Sequence, residues 1–260
     1  MPRYVVEVMY DGTQFHGSQV QGEQATVQLA VNNVLKTLFR KEMDTFGASR
    51  TDEGVHAMSN FYHFDIDAPI DFDLFYKSNA ILNEHISIKA IYEVPGEFNA
   101  RFDAVSRKYR YKIHFTKNPF LVNRAYYFPF KSNLELLKET ASIIPQYKHF
   151  ETFAKRNMQV KTFLCDILDS HWEMNGEELH YIVKGNRFLR GMVRGLVGTQ
   201  LMVARGKYDV AGFRKIIESN DCKNAYFDVP GSGLYLEEVN YPEGILKKIE
   251  FTNNRIKPLF

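Results

Sequence analysis

The segment RKYRYKIHF, residues 107–115, alternates basic side chains with Tyr109, Tyr111 and Ile113. Alternation with a period of two predicts a β-strand whose one face is buried or stacked on another group and whose other face is charged. Upstream, RYVVEVMY at residues 3–10 is rich in β-branched and aromatic residues and ends at a turn signal, Asp11-Gly12. We expect further strands over residues 60–66 and 86–94.

Helical patterns separate and follow these strands. Residues 27–38 place apolar side chains at helical spacing behind Thr26, a preferred N-cap residue, and residues 71–82 predict a second, short helix. The order indicates an α+β protein in two halves, residues 1–118 and 119–260, with antiparallel hairpins. In the second half we expect a helix over 133–143, strands over 162–172 and 178–185 with Asn175-Gly176 between them, helices from 188 and 210, and a strand over 234–238.

The composition is that of an ordinary folded protein. Hydrophobic residues make up 45% and charged residues 25% of the chain, which excludes a disordered or fibrous protein. Because no apolar run approaches the ~20 residues that span a bilayer, we expect neither a membrane span nor a signal peptide. Two isolated cysteines, Cys165 and Cys222, predict neither a disulfide framework nor a zinc site. We therefore expect a protein of the reducing cytoplasm.

The positive charge is concentrated in two stretches. The net charge is only +2, but residues 101–117 carry six cations against the single acid Asp103, and residues 184–207 carry six cations and no acid. Segregated charge of this kind is typical of a surface that binds a polyanion. It is also compatible with ordinary solvated faces, and charge alone does not decide between the two.

The loop SRTDEGVHA, residues 49–57, is the most unusual local sequence of the chain. If the loop curls back, Arg50 can pair with Asp52, and the opposite charge keeps the carboxylate ionised, as a nucleophile or general base requires. The same residues could instead form an Asx-turn with Gly54 at positive φ.

Neither a metal nor a nucleotide cofactor is expected. His56 and His63 lack accompanying carboxylates at a metal-ligand spacing. The first loop, DGTQFHG at residues 11–17, lacks the glycine spacing of a P-loop or a dinucleotide fingerprint.

Three arginines are spaced by three and four residues in an expected helix from residue 188. Arg187, Arg190 and Arg194 would share one face of that helix, suited to phosphate contacts or to pairing with a carboxylate, although a surface charge stripe remains the simpler interpretation. The same segment holds three glycines, at 191, 195 and 198, and each costs about 1 kcal/mol relative to alanine inside a helix. This cost predicts the close approach of another backbone or of a ligand.

Together these segments resemble the TruA family of tRNA pseudouridine synthases, and the resemblance runs through some 225 residues of the chain. Its six segments occur in the family's order. They are YDGTQFHG at 10–17, RTDEGVHA at 50–57, FNARF at 98–102, RKYRY at 107–111, MVR at 192–194 and GLYL at 233–236. The chain departs from the family pattern at Ser18, where an aromatic residue is usual, and at Ser49 and Glu53, which flank Arg-Thr-Asp.

The resemblance implies a role for each of five residues. Asp52 would be the catalytic aspartate, and Arg50 would help to open the RNA. Tyr109 would stack on the target uracil, Arg194 would pair with Asp52, and Leu234 would line the base pocket.

The resemblance also implies the substrate, the assembly and the fold. The reaction isomerises uridine in the anticodon arm of tRNA, near positions 38 to 40, and needs no cofactor or metal. A homodimer would cradle the tRNA, and each chain would consist of two ferredoxin-like halves around a shared, mostly antiparallel sheet. The first half would carry the aspartate loop, and the second half the arginine-rich helix and the strand of the base pocket. Both basic stretches would then track phosphates. Their expected contacts are Arg101, Arg107, Arg110, Arg187 and Arg190.

Two other functions stay open from the residues. The first is a tRNA-binding protein or RNA chaperone with little catalysis, and the second is a hydrolase that uses Asp52, Glu53 and His56 on a small substrate. The combination of Asp52, Tyr109 and Arg194 favours the isomerase over the first, because binding alone needs no buried nucleophile. The two basic stretches disfavour the second, since a small neutral substrate does not need them.

Overall fold

A computed structural model describes residues 1–155 and 161–250. In this part of the chain ten strands form one sheet, and five α-helices accompany it. The strands are β1 (Arg3–Tyr10), β2 (Phe46–Gly47), β3 (His56–Asp65), β4 (Ile86–Val94), β5 (Ser106–His114), β6 (Tyr126–Tyr127), β7 (Ile167–Asn175), β8 (Glu178–Gly185), β9 (Leu234–Asn240) and β10 (Lys247–Lys248). The helices are α1 (Val27–Phe39), α2 (Phe72–Ile81), α3 (Leu134–Ile143), α4 (Met192–Ala204) and α5 (Val210–Glu218).

The sheet joins the N-terminal and C-terminal parts of the chain. Its order is β10-β4-β1-β3-β9-β5-β8-β7, with β2 on β3 and β6 on β5. Neighbours are antiparallel except for β3 with β9 and β5 with β6. The parallel contact pairs His56 with Tyr235 and Ala57 with Leu236 at the centre of the sheet. The expected α+β fold around a shared, mostly antiparallel sheet is therefore confirmed.

Strand β5 has the predicted alternation. Tyr109, Tyr111 and Ile113 are buried, whereas Lys108, Arg110 and Lys112 are only partly buried. The strand lies between β9 and β8, both of which follow it in sequence. Residue 118 therefore follows a strand that is hydrogen-bonded to the second half, and the division at 118 stays a prediction.

Local signals place most of the other elements. The Thr26 hydroxyl accepts a hydrogen bond from the amide of Leu29 and caps α1, whose buried side chains include Val27 and Leu35. The hairpin of β7 and β8 turns at Gly176, which has φ 61°. In the described residues no helix is both long enough and apolar enough to cross a membrane.

The arginine-rich helix begins later than expected. Gly191 has φ 76°, a left-handed conformation that α-helix does not continue through, so α4 starts at Met192. Arg187 and Arg190 therefore precede the helix, and the prediction that they share one helical face with Arg194 is wrong. The close approach implied by the glycines is made by protein, because a Cβ added to Gly198 would lie 2.2 Å from the carbonyl oxygen of Tyr226.

Candidate active site

Two glycine-containing segments hold the backbone of the loop over residues 49–55. A Cβ added to Gly12 would lie 2.1 Å from the carbonyl oxygen of Val55, and one added to Gly231 would lie 2.4 Å from that of Glu53. Real Cβ atoms do not approach backbone this closely, so only glycine fits at either position. The loop is clamped between the first loop of the chain and the turn before β9.

Buried polar side chains fix the start of the same loop. The amide of Thr51 donates to the Ser18 hydroxyl at 2.8 Å, and the amide of Ser18 donates to the carbonyl of Thr51 at 3.0 Å. The Asn60 side chain donates to the carbonyl of Ser49 and accepts from its amide, at 3.1 and 3.3 Å. Tyr10 and Thr51 share a hydroxyl–hydroxyl hydrogen bond of 2.8 Å. Ser18, a departure from the family pattern, thus supports the loop directly.

The alternative interpretation of this loop, an Asx-turn with Gly54 at positive φ, agrees with the structure at Gly54 but not in the bond that closes the turn. Gly54 has φ 73°, and the amide of Val55 donates to the carbonyl of Asp52 at 3.2 Å. The main chain closes this turn, so the Asp52 carboxylate is left to face its surroundings. A structural turn and a reactive carboxylate are therefore compatible here.

Three cations surround the Asp52 carboxylate, whose side chain is 20% exposed. Arg194 Nη1 lies 3.6 Å from Oδ2, Arg190 Nε 3.6 Å from Oδ1 and Lys155 Nζ 3.8 Å from Oδ2. Arg194 is held in place because its Nε donates to the carbonyl of Val229 at 2.8 Å. The distances exceed those of hydrogen bonds, so the cations stabilise the anion by charge while its oxygens stay available for chemistry.

Of the three cations, only Arg194 is one that the resemblance implies beside Asp52. Arg50 is exposed and, within the described residues, forms no ion pair with Asp52, so the expected pairing inside the loop is wrong. Lys155 was missed, because nothing in its local sequence marks it. A Cβ on Gly191 would lie 2.9 Å from Lys155 Cγ, so this glycine leaves room for the lysine chain. Arg190, which the basic stretch assigned to a phosphate, also neighbours Asp52.

Tyr109 lies on β5 beside this site. Its ring meets Phe188 edge-on, with centroids 5.1 Å apart and planes at 83°. Burial raises the pKa of Tyr109 to about 12, and the Asp52 charge contributes in the same direction. The phenol is therefore neutral at physiological pH and offers an aromatic ring with a hydroxyl group. Across the strand pair, Leu236 faces Tyr109 and the buried Leu234 faces Tyr111.

Arg107 does not reach a solvent-facing position. Its buried guanidinium donates to four backbone carbonyls, so the expected phosphate contact does not fit this environment, and burial lowers its pKa. The signal was present in the sequence, since Arg107 has the same parity along the strand as Tyr109 and Tyr111. The four acceptors are the carbonyls of Ala104 at 2.9 Å, Asn186 at 2.8 Å, Ala48 at 3.4 Å and Arg101 at 2.5 Å.

Arg110 lies on the opposite face of β5 from Tyr109. Its guanidinium is engaged by Glu237 and by Glu173, at 3.2 Å for the latter, and it contacts His180 Nδ1 at 2.9 Å. An arginine paired in this way on the far face does not fit the expected role at a phosphate near Asp52.

Two of the remaining expected phosphate contacts, Arg101 and Arg187, lie on segments that are held together with that of Arg50. Arg101 is exposed, and its pKa is lowered by burial of part of the side chain and by the charges of Arg50 and Arg187. The three arginines belong to three segments that Arg107 ties together, since its acceptors include Arg101 itself, Ala48 before Arg50 and Asn186 before Arg187. We name Arg50, Arg101 and Arg187 the arginine cluster.

His56 is a structural residue. It is 2% exposed, and the amide of Gly12 donates to its Nδ1 at 3.1 Å. Its Nε2–H is thus available to the carbonyls of Asn123 and Ser232, at 3.0 and 3.1 Å. Burial lowers the pKa of His56, in agreement with a neutral ring. These contacts leave His56 unavailable to Asp52, which disfavours the hydrolase interpretation.

No metal-binding arrangement occurs in residues 1–155 and 161–250, where no three side chains of the types His, Cys, Asp and Glu converge as ligands. His63, the other histidine considered, accepts from the amide of Ala100 at 3.2 Å and stacks on Phe46 with ring centroids 5.2 Å apart.

Comparison with known proteins identifies the family. A family model described as tRNA pseudouridine synthase matches residues 148–242. The tRNA pseudouridine synthase A of Bacteroides thetaiotaomicron is 39% identical over 254 residues, which cover 95% of this chain and 94% of that protein. The protein of the same name from Parabacteroides distasonis is 39% identical (94% and 97% covered), and that from Staphylococcus aureus 31% (97% and 96%). Since these relatives align along nearly their whole length, the chain belongs to the tRNA pseudouridine synthase A family.

Proposed function

We propose that this protein is a tRNA pseudouridine synthase that isomerises uridines of the anticodon arm, near positions 38 to 40. The observation that carries the proposal is the Asp52 carboxylate, held by a clamped loop among three cations and beside the buried ring of Tyr109. The family relationship supports the reaction, and the expected target positions come from the resemblance of its motifs.

The reaction needs one carboxylate and a means of holding the base. The N1–C1′ bond of uridine breaks, the uracil turns, and C5 bonds to C1′. The C5 proton leaves and N1 gains a proton, so no atom is lost and no electron is exchanged. Asp52 serves as nucleophile or base, and the charges of Arg194, Arg190 and Lys155 attract and orient its carboxylate.

The uracil must leave its stack before Asp52 can reach it. Unstacking costs a few kcal/mol, and a protein ring on which the base stacks offsets part of that cost. We assign the ring to Tyr109 and the apolar floor of the pocket to Leu234, which is buried at the start of β9. The neutral Tyr109 phenol suits this role because uracil is itself uncharged.

Phosphate binding is assigned to the arginine cluster and Arg190. These side chains lie on the segments around Asp52, and guanidinium groups bind phosphate oxygens through charge and hydrogen bonds. Arg107 donates hydrogen bonds to four backbone carbonyls and so holds the segments that carry the cluster in place. Arg110 is not assigned to a phosphate, because its guanidinium group is paired with Glu237 and Glu173.

We further propose that the enzyme acts in the cytoplasm as a homodimer, with the halves 1–118 and 119–260 contributing to one site. The geometry of the site supports a contribution from both halves, since Asp52 lies in the first half and its three neighbouring cations, Lys155, Arg190 and Arg194, lie in the second. Large exposed apolar side chains such as Phe120 and Val122 are suited to a protein contact. Sedimentation velocity of the full chain tests the assembly.

Replacement of the proposed nucleophile tests the function. Asp52→Asn keeps the size of the side chain and removes its charge, so we expect no release of tritium from tRNA that contains 5-tritiated uridine, with tRNA affinity within a few-fold of wild type. The neighbouring, exposed Glu53 supplies the matched control, because Glu53→Gln removes a carboxylate one residue away and is expected to retain turnover. Normal tritium release by Asp52→Asn would reject Asp52 as the catalytic residue, and no release by the wild-type protein would reject the function.

A further inference from the structure

The tip of the turn between β4 and β5, residues 99–103, has a backbone that is fixed by hydrogen bonds. The side-chain oxygen of Asn99 accepts from the amides of Arg101 and Phe102, at 3.0 and 3.2 Å. The Asp103 carboxylate accepts from the amide of Asn99 at 2.7 Å, and the Asp103 amide donates to the carbonyl of Asn99 at 3.0 Å. The backbone of residues 99–103 is thereby fixed by its own side chains.

The same turn is anchored to the sheet beneath it. Tyr241 donates its hydroxyl to the carbonyl of Ala100 at 2.6 Å, and His63 Nδ1 accepts from the amide of Ala100 at 3.2 Å. The buried Arg107 guanidinium donates to the carbonyl of Arg101 at 2.5 Å. The position of the tip is therefore set before any ligand binds.

This rigid tip presents an aromatic ring to solvent. Phe102 is 77% exposed, whereas Phe98 at the start of the turn is 1% exposed and packs in the core. The Arg101 guanidinium lies 5.5 Å from the centroid of the Phe102 ring. One exposed phenylalanine is common on proteins and by itself has no meaning. Here, however, the backbone is immobilised and the adjacent side chain belongs to the arginine cluster.

An exposed ring beside several arginines is suited to an unpaired nucleotide. Proteins that bind single-stranded nucleic acid combine aromatic rings, on which bases stack, with cations that hold the backbone. The cations here are Arg101, Arg50 and Arg187, whose segments are held together by the hydrogen bonds of Arg107. A ring on a backbone that is already fixed also loses less conformational entropy on binding.

We propose that Phe102 stacks on an unpaired base of the RNA substrate, with Arg101 on the adjoining phosphate. This base is not the target uridine, whose ring partner is Tyr109. The inference rests on the proposed function and adds a second stacking position to it. Phe102 would thus help to select RNA in which a base next to the target is free to leave its stack.

Ring variants of the full-length enzyme test this site. The dissociation constant of a tRNA anticodon stem-loop and the single-turnover rate at saturating RNA are measured for Phe102→Ala, Phe102→Leu and Phe102→Tyr. Since stacking on one base is worth about 1–3 kcal/mol, we expect Phe102→Ala to weaken affinity roughly 5- to 150-fold. Phe102→Leu keeps the apolar surface without the ring and should weaken affinity similarly, whereas Phe102→Tyr should bind as wild type does. The rate at saturation should stay within a few-fold for all three.

Two more variants are measured: Arg101→Ala, which removes a charge beside the ring, and Tyr76→Ala, which serves as an aromatic control. Arg101→Ala should lower the slope of log affinity against log salt by about 0.7 to 0.9, and Phe102→Ala should leave that slope unchanged because it removes no charge. Tyr76 on α2, a helix that packs on α1 and β4, is also exposed, and Tyr76→Ala should bind normally.

Three outcomes would each overturn the proposal: unchanged affinity of Phe102→Ala, equal affinities of Phe102→Leu and Phe102→Tyr, or a changed oligomeric state of Phe102→Ala. The third outcome would show that the ring contacts another protein chain. The proposed function fails separately, because its failure appears as an absence of tritium release by the wild-type enzyme.

Discussion

Removal of Arg194 is expected to slow the chemical step more than it weakens tRNA binding. Arg194 Nη1 and Arg190 Nε lie equally far, 3.6 Å, from the two oxygens of Asp52, but the Arg194 side chain is 20% exposed and the Arg190 side chain 66% exposed. At this distance two unit charges interact by about 4–5 kcal/mol with an effective dielectric constant near 20. Solvent and the remaining cations screen part of this energy, and screening is stronger for the exposed Arg190.

We therefore expect Arg194→Ala to lose about 2 kcal/mol of the interaction that holds the Asp52 carboxylate in place in the transition state, which corresponds to a roughly 30-fold lower single-turnover rate. Arg190→Ala should lose under about 1 kcal/mol of it, a change of less than about five-fold. Instead, Arg190→Ala should weaken tRNA affinity and lower the salt slope by about 0.7 to 0.9, because it removes a phosphate contact.

The assay follows tritium release at saturating tRNA, with affinities measured over a range of salt concentrations. Because Arg194 Nε also donates to the carbonyl of Val229, Arg194→Ala is first checked for an unchanged fold by its thermal unfolding transition. If both variants lose affinity equally and turn over bound tRNA at the wild-type rate, then Arg194 is another phosphate contact, and its assignment to Asp52 is refuted.

Three further predictions concern the loop, the buried histidines and metals. Gly231→Ala forces a Cβ within 2.4 Å of the carbonyl oxygen of Glu53 and should displace the loop that carries Asp52 and reduce tritium release. Gly96→Ala, whose Cβ would meet no described residue within 4 Å, should not, and equal activity of the two variants would contradict the clamp. Burial lowers the pKa of three histidines, His56, His63 and His180. Below pH of about 6.5 the unfolded chain therefore takes up protons that the folded chain does not. The free energy of unfolding should fall over this range by up to about 1.4 kcal/mol per pH unit for each histidine. Urea unfolding at pH 7.5 and 5.5 measures this, and equal stability at both values would contradict it. Dialysis against a chelator should leave the rate of tritium release unchanged, and a rate restored only by added metal would contradict a carboxylate-based reaction.

The sequence by itself determined the fold class and singled out the loop that we propose to be catalytic. Strand β5 follows from its alternation and α1 from its cap and periodicity, because both depend on contacts between residues close together in the chain. The loop around Asp52 stands out because its combination of charged residues and glycine is chemically unusual and matches a family motif.

The resemblance implied Arg194 beside Asp52, but tertiary structure alone placed Lys155 and Arg190 there. All three lie more than 100 residues from Asp52 in sequence, and only the packing of the second half brings them within 4 Å. The start of α4 depended on the left-handed backbone of Gly191, which local spacing does not reveal. The parity of β5 places Arg107 on the face of Tyr109 and Arg110 on the other, but only the tertiary structure gave their partners, four backbone carbonyls for Arg107 and two glutamates for Arg110. A charged residue on a strand can face solvent, an ion partner or backbone oxygen, and the choice depends on segments that are distant in the chain.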